Sequence, residues 1–129
     1  MKPLRLLSLA MAASLMAAPA LAADLSGKWS ANGKYVFSFD RTGDRFTGSI
    51  AGDGGQAYKI VDGTIDGEAI SFFVLHDSPQ DPEVKENGGK AFRNTAKGTV
   101  SGDDMTFSGS REGSDIHAYS VTIHRMKSQ

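Results

Sequence analysis

The 129-residue chain contains no cysteine. That absence excludes a disulfide framework, zinc–thiolate sites, thiol nucleophiles and lipid attachment through an N-terminal cysteine. An excess of positive charge is missing too, since 14 basic residues face 15 acidic ones. Nucleic-acid or anionic-membrane binding therefore has no electrostatic basis. Beyond Leu21 no apolar run approaches membrane length, so no membrane insertion is expected. No Gly-x-x-x-x-Gly-Lys loop or Gly-x-Ser-x-Gly elbow occurs, and Ser108-Gly109-Ser110 sits inside a strand pattern. No cofactor is expected. Nor is a metal: His117 and His124 are seven positions apart on one extended segment, about 23 Å by strand rise. The turns Asp53-Gly54-Gly55 and Gly102-Asp103-Asp104 lack the ligand ladder of a calcium loop.

What is present begins with the first 22 residues. Lys2 and Arg5 form a positive head, and 6–21 is uncharged and rich in Ala, Leu and Met. Pro19 precedes Ala20-Leu21-Ala22, a small-x-small exit of the kind a signal peptidase cuts. The apolar run rises only about 24 Å as a helix, short of a ~30 Å hydrocarbon core. Residues 1–22 are expected to be a cleaved signal peptide and 23–129 one small domain, periplasmic or secreted. Losing Lys2 and Arg5 would leave a formal charge of −3.

Glycine organises the rest. All 15 lie beyond residue 22, most beside Asp, Asn or Ser, and they separate segments rich in Val, Ile, Thr, Phe and Tyr. Those segments are 28–40, 45–51, 56–65, 69–76, 90–100, 104–111 and 115–127. Tyr35, Phe37 and Phe39 alternate with Lys34, Val36 and Ser38, the period of half-buried strands. No window carries a convincing helical stripe. Residues 63–72 echo 98–107, with a shorter copy at 42–48; each reads as strand end, tight turn and strand restart. The expectation is all-β: an antiparallel up-and-down barrel of about eight strands. Segment 77–89 breaks the rhythm with two prolines and mixed charge, and reads either as a lid or rim or as a disordered excursion.

Ser26-Gly27-Lys28-Trp29 on the first segment and Arg125 at the end of the last one resemble the signature of lipocalin-like (calycin) barrels. The resemblance implies that Trp29 closes one end of the barrel with Arg125 across its ring, a stacked and partly cation–π contact. The chain is shorter than full lipocalins and looks more like compact secreted bacterial domains of that type. Periplasmic metalloprotease inhibitors share the Gly-x-Trp but use an extended N-terminus and a disulfide. Here only Ala23-Asp24-Leu25-Ser26 precede the glycine, and no cysteine exists.

If the aromatic parity faces inward, Tyr35, Phe37, Tyr58, Phe72 and Phe107 line a cup. The same parity brings His76, Asn94, Arg111, His117 and Tyr119 to its walls or mouth, while His124 faces out. Arg111 is expensive to bury alone and either meets an anion or sits at the rim beside Glu112 or Asp115. Three functions stay open. The first is a noncatalytic cup for an apolar or aromatic small molecule, lined by Tyr35, Phe37, Tyr58, Phe72, Asn94, Phe107, Arg111, His117 and Tyr119. The second is a small lyase or isomerase using His76, His117 and Tyr119 for proton transfer and Arg111 for a developing anion. The third is a protein-binding, inhibitor-like barrel.

Overall fold

A computed structural model describes residues 23–127; the expected signal peptide lies outside the described residues. Eight strands run β1 (Lys28–Ser30), β2 (Tyr35–Thr42), β3 (Arg45–Gly52), β4 (Ala57–Asp66), β5 (Ala69–His76), β6 (Phe92–Ser101), β7 (Asp104–Gly109) and β8 (Tyr119–Arg125). Each pairs antiparallel with the next, and β8 pairs back onto β1 through Trp29–Arg125 and Ser30–His124. The chain is all-β, a closed up-and-down barrel, consistent with the lipocalin-like architecture. Closure leaves no unpaired sheet edge, which a small domain without disulfides needs.

The three sequence echoes are the three tight hairpins of one end. Gly43, Gly67 and Gly102 occupy their turns with φ between +60° and +65°, where a side chain is disfavoured. That end is filled solid. Trp29 is fully buried, donates its indole N–H to the Leu25 carbonyl (3.2 Å) and carries the Arg125 guanidinium 4.3 Å from its ring centre. Arg125 is in turn held by Asp103 and by backbone carbonyls of Asp24, Ser26 and Gly102. Above this plug Phe39, Phe46, Phe72 and Phe107 pack edge-to-face or tilted, with centroids 5.2–6.1 Å apart. Such pairs add about 0.5–1.5 kcal/mol each beyond the area they bury.

The parity expected of the aromatics holds, with one shift. In β4 the register slips between Val61 and Thr64, where Asp62 takes φ +52°, so inward positions change from Tyr58 and Ile60 to Gly63 and Ile65. Gly63 is required there, because a Cβ would fall 2.5 Å from the Phe46 ring. Three expectations need correcting. Segment 28–40 is two strands, split by a loop at 31–34. Segment 115–127 contributes strand only from Tyr119, so His117 lies in the preceding loop with φ +55°. Segment 77–89 is not the disordered excursion: Pro82–Glu86 forms a short helix, α1, whose Val84 is buried and whose Glu83 stands at the rim, the other expectation for this segment.

Candidate functional site

The other end of the barrel carries the longer connections, 31–34, 53–56, 77–91 and 110–118. Within its walls lies a concavity of two adjoining lobes. The outer lobe, about 380 Å³, is bounded by Tyr35, Phe37, Tyr58, Val74 and His76, and opens between Ala31-Asn32 and Glu83 of α1. The inner lobe, about 230 Å³, is walled by Phe37, Ile50, Val74, Asn94, Phe107, Tyr119 and Val121. Phe37, Ile50, Val74 and Val121 belong to both. A more polar hollow of about 500 Å³ between 54–57 and 78–82 shares Tyr58.

The helix over this mouth is fixed at both ends. Asp81 is its N-cap: Oδ1 accepts from the Glu83 N–H at 2.9 Å, and Pro82 follows at the first helical position, where its missing donor costs nothing. The other carboxylate oxygen of Asp81 lies 2.7 Å from His76 Nδ1, with both side chains buried. A carboxylate only accepts, so His76 carries its hydrogen on Nδ1. In the neutral ring Nε2 is then an acceptor, and the Asn94 amide nitrogen donates to it at 3.2 Å. Phe92 stacks flat on the imidazole (4.7 Å, 8°), and the Arg111 guanidinium lies 4.0 Å from the centre of the same Phe92 ring. At the far end of α1 Arg111 donates to Asn87 Oδ1 (3.3 Å) and lies 3.8 Å from Glu86, which itself holds His117 Nε2 at 2.8 Å. The His117 hydrogen bond keeps the Glu86 carboxyl below its ordinary range.

The sequence-derived candidates thus divide. Tyr35, Phe37, Tyr58, Asn94, Phe107 and Tyr119 line the concavity, and His76 joins them. Phe72 is packed into the solid floor and lines neither lobe. Arg111 is buried against Phe92; its Nε and Nη2 make no hydrogen bond among the described residues, although Nη2 lies 3.8 Å from Glu86. Its rim neighbours are not as expected, because Glu112 is taken by Arg93 at 2.6 Å. His117 stands outside, half exposed against Glu86. His124 does face outward and pairs with Asp104. The four proposed acid–base groups share one end of the barrel but do not converge on one space. The Tyr119 hydroxyl donates to the Thr95 carbonyl at 2.7 Å, and burial pushes its pKa up to about 12. Burial and the nearby Asp81 charge raise Tyr58 as well.

Sequence reasoning missed Asp81, Glu83, Glu86, Asn87 and Phe92. Asp81-Pro82-Glu83, an N-cap followed by proline and an acid, was the available signal for a helix start. The metal expectation also overlooked a cluster, because it weighed only His117 and His124. His76, Asp81 and Glu83 each present one ligand atom within 4.8 Å of the others. As placed, the 2.7 Å between His76 and Asp81 is hydrogen-bond spacing, shorter than the ~3.3 Å edge between ligands of a tetrahedral zinc. Both Asp81 oxygens are also already engaged. No family model, curated protein or solved structure matches the chain.

Proposed function

We propose that this protein is an exported, lipocalin-like binding module that holds a small apolar or aromatic molecule in its cup. One observation carries the reading: the barrel is packed solid at the Trp29 end and hollow at the other, and the hollow is walled mainly by Tyr35, Phe37, Ile50, Val74 and Val121. Cavities of a few hundred cubic ångströms with mostly apolar walls and few polar groups suit small molecules. The Trp29–Arg125 closure supports kinship with lipocalin-like barrels. Export rests on the composition of residues 1–22. Ala23, the first residue of the mature chain in this reading, donates its N–H to the Gly67 carbonyl at 2.9 Å and accepts from Arg41. Lys28, Thr47, Lys59, Lys97 and Thr122 on the outer face suit a barrel surrounded by water.

The acid–base alternative draws on the buried His76–Asp81 pair, a standard way to fix a base's tautomer. Its other ring nitrogen is occupied by Asn94, and Arg111 and His117 line neither lobe, so binding is favoured over turnover. The test is titration with the uncharged fluorophore N-phenylnaphthylamine. Saturable one-to-one binding is expected, weakened at least tenfold by Val121→Phe, which fills the shared wall of the lobes. Absence of saturable binding, or full affinity in a folded Val121→Phe protein, overturns the reading.

A further inference from the structure

The outer lobe has an acidic rim and no basic side chain to balance it. Glu83 of α1 borders the space that the rings of Tyr35, Phe37 and Tyr58 bound, and no Lys or Arg lines either lobe. Glu83 is partly exposed, so its carboxylate is reachable from solvent. One oxygen each of Glu83 and Asp81 and a ring nitrogen of His76 lie within 4.8 Å of one another. Asp81 is matched by His76, and Arg111, beyond Phe92, has Glu86 at 3.8 Å. Glu83 makes no ion pair among the described residues. A proton on His76 would balance Asp81 and still leave Glu83 uncompensated. The same field reaches the Tyr58 phenol, which is pushed up by burial first and then by Asp81, Tyr35 and Glu83. Aromatic faces are negative as well, so rings beside a carboxylate favour a cation. Both Asp81 oxygens are already engaged, which suits a metal ion poorly. An organic cation needs only the field and walls that its carbon atoms can fill.

We infer that the cup takes an organic monocation, an amine or quaternary ammonium carried on an aromatic or alkyl body. The positive head lies in the outer lobe between Glu83 and the Tyr35 and Tyr58 rings. The body fills the inner lobe, whose walls include Ile50, Phe107 and Val121 and no charged side chain. This rests on the binding reading above and deepens it by naming the ligand class. Carboxylate ligands are disfavoured, because an anion would leave water to face Glu83 with no cation in the lining.

Phenyltrimethylammonium and tert-butylbenzene have nearly the same shape, and only the first is charged. Each is used to displace N-phenylnaphthylamine from the wild-type protein. The cation is expected to bind at least as tightly as the hydrocarbon, although water holds the cation far more strongly. Glu83→Gln keeps the size of the side chain on an accessible helix. It should weaken the cation on the order of tenfold and leave the hydrocarbon within about twofold. Tyr35→Leu, at the exposed rim, should cost the cation more than the hydrocarbon. Tighter binding of the hydrocarbon by the wild type overturns this inference and leaves the cup reading standing. A cation affinity unchanged in a folded Glu83→Gln protein overturns the assignment to Glu83, and equal losses in Tyr35→Leu overturn the ring contact. Failure of N-phenylnaphthylamine itself to bind overturns both the inference and the cup reading.

Discussion

Removing the Asp81 carboxylate should destabilise the protein through two separable losses. The first is the N-cap of α1, where Oδ1 satisfies the Glu83 N–H at 2.9 Å; caps of this kind contribute about 1 kcal/mol. The second is the hydrogen bond to His76 at 2.7 Å between side chains only 7% and 5% exposed. Losing a buried hydrogen bond to a charged group costs about 1.5–3 kcal/mol, since it strands the imidazole N–H. Asp81→Ala should therefore cost about 2.5–4 kcal/mol. Asp81→Asn keeps the cap through its single carbonyl oxygen but turns an amide N–H toward His76 Nδ1–H, so it loses the buried hydrogen bond alone and about 1.5–3 kcal/mol is expected. Urea unfolding measures both, and at about 4–8 °C per kcal/mol for a domain of this size the alanine variant should melt at least about 10 °C lower. A cycle with His76→Phe isolates the pair, with a coupling of about 1–3 kcal/mol. An alanine variant within 0.5 kcal/mol of wild type, or asparagine and alanine variants of equal stability, would refute the reasoning that Asp81 joins helix to barrel.

Trp29→Ala should cost roughly 3–5 kcal/mol, as large aromatic core deletions do, and the lone tryptophan should fluoresce with the blue maximum of a buried indole. A red, water-like maximum would contradict the closed end. The Tyr119 phenol, raised from 10.0 to about 12, is held protonated by the fold. Its contribution to stability is complete below pH 10 and is lost as pH rises through 12. Urea midpoints measured across that window should fall less steeply for Tyr119→Phe than for wild type. Intact-mass measurement of exported protein should find Ala23 as the first residue; soluble protein retaining Met1 would exclude cleavage there.

The fold was legible because the signals that make a meander are local. Alternation such as Tyr35-Val36-Phe37-Ser38-Phe39 specifies strand and face together, and Gly43, Gly67 and Gly102 mark turns whose φ a side chain resists. Pairing Trp29 with Arg125 across 96 positions was legible only through the resemblance, since periodicity does not name partners. The candidate site was read in part for the same reason. Parity brought Tyr58, His76, Asn94, Phe107 and Tyr119 to the inner face, where they lie. It failed for Arg111 and His117 because the regular period ends at Gly109 and resumes only at Tyr119. Phe72 has the right parity at the wrong height, and alternation carries no information about depth along a barrel. Asp81 escaped because a five-residue helix is too short to show a stripe, although its capping residues were visible.

The two ends of the barrel differ in how completely their polar groups are satisfied. At the Trp29 end every polar group near the core has a partner: the indole N–H has Leu25, and the Arg125 guanidinium has Asp103 and three carbonyls. At the α1 end Asn94 Oδ1 and the Nε and Nη2 of Arg111 are buried without a hydrogen bond among the described residues, and the concavity opens at that same end. A domain of this size has only a few kcal/mol of net stability to lose, and unsatisfied buried groups draw on it directly. The solid end sustains the fold, and under the proposed function the hollow end is the one that a ligand would enter.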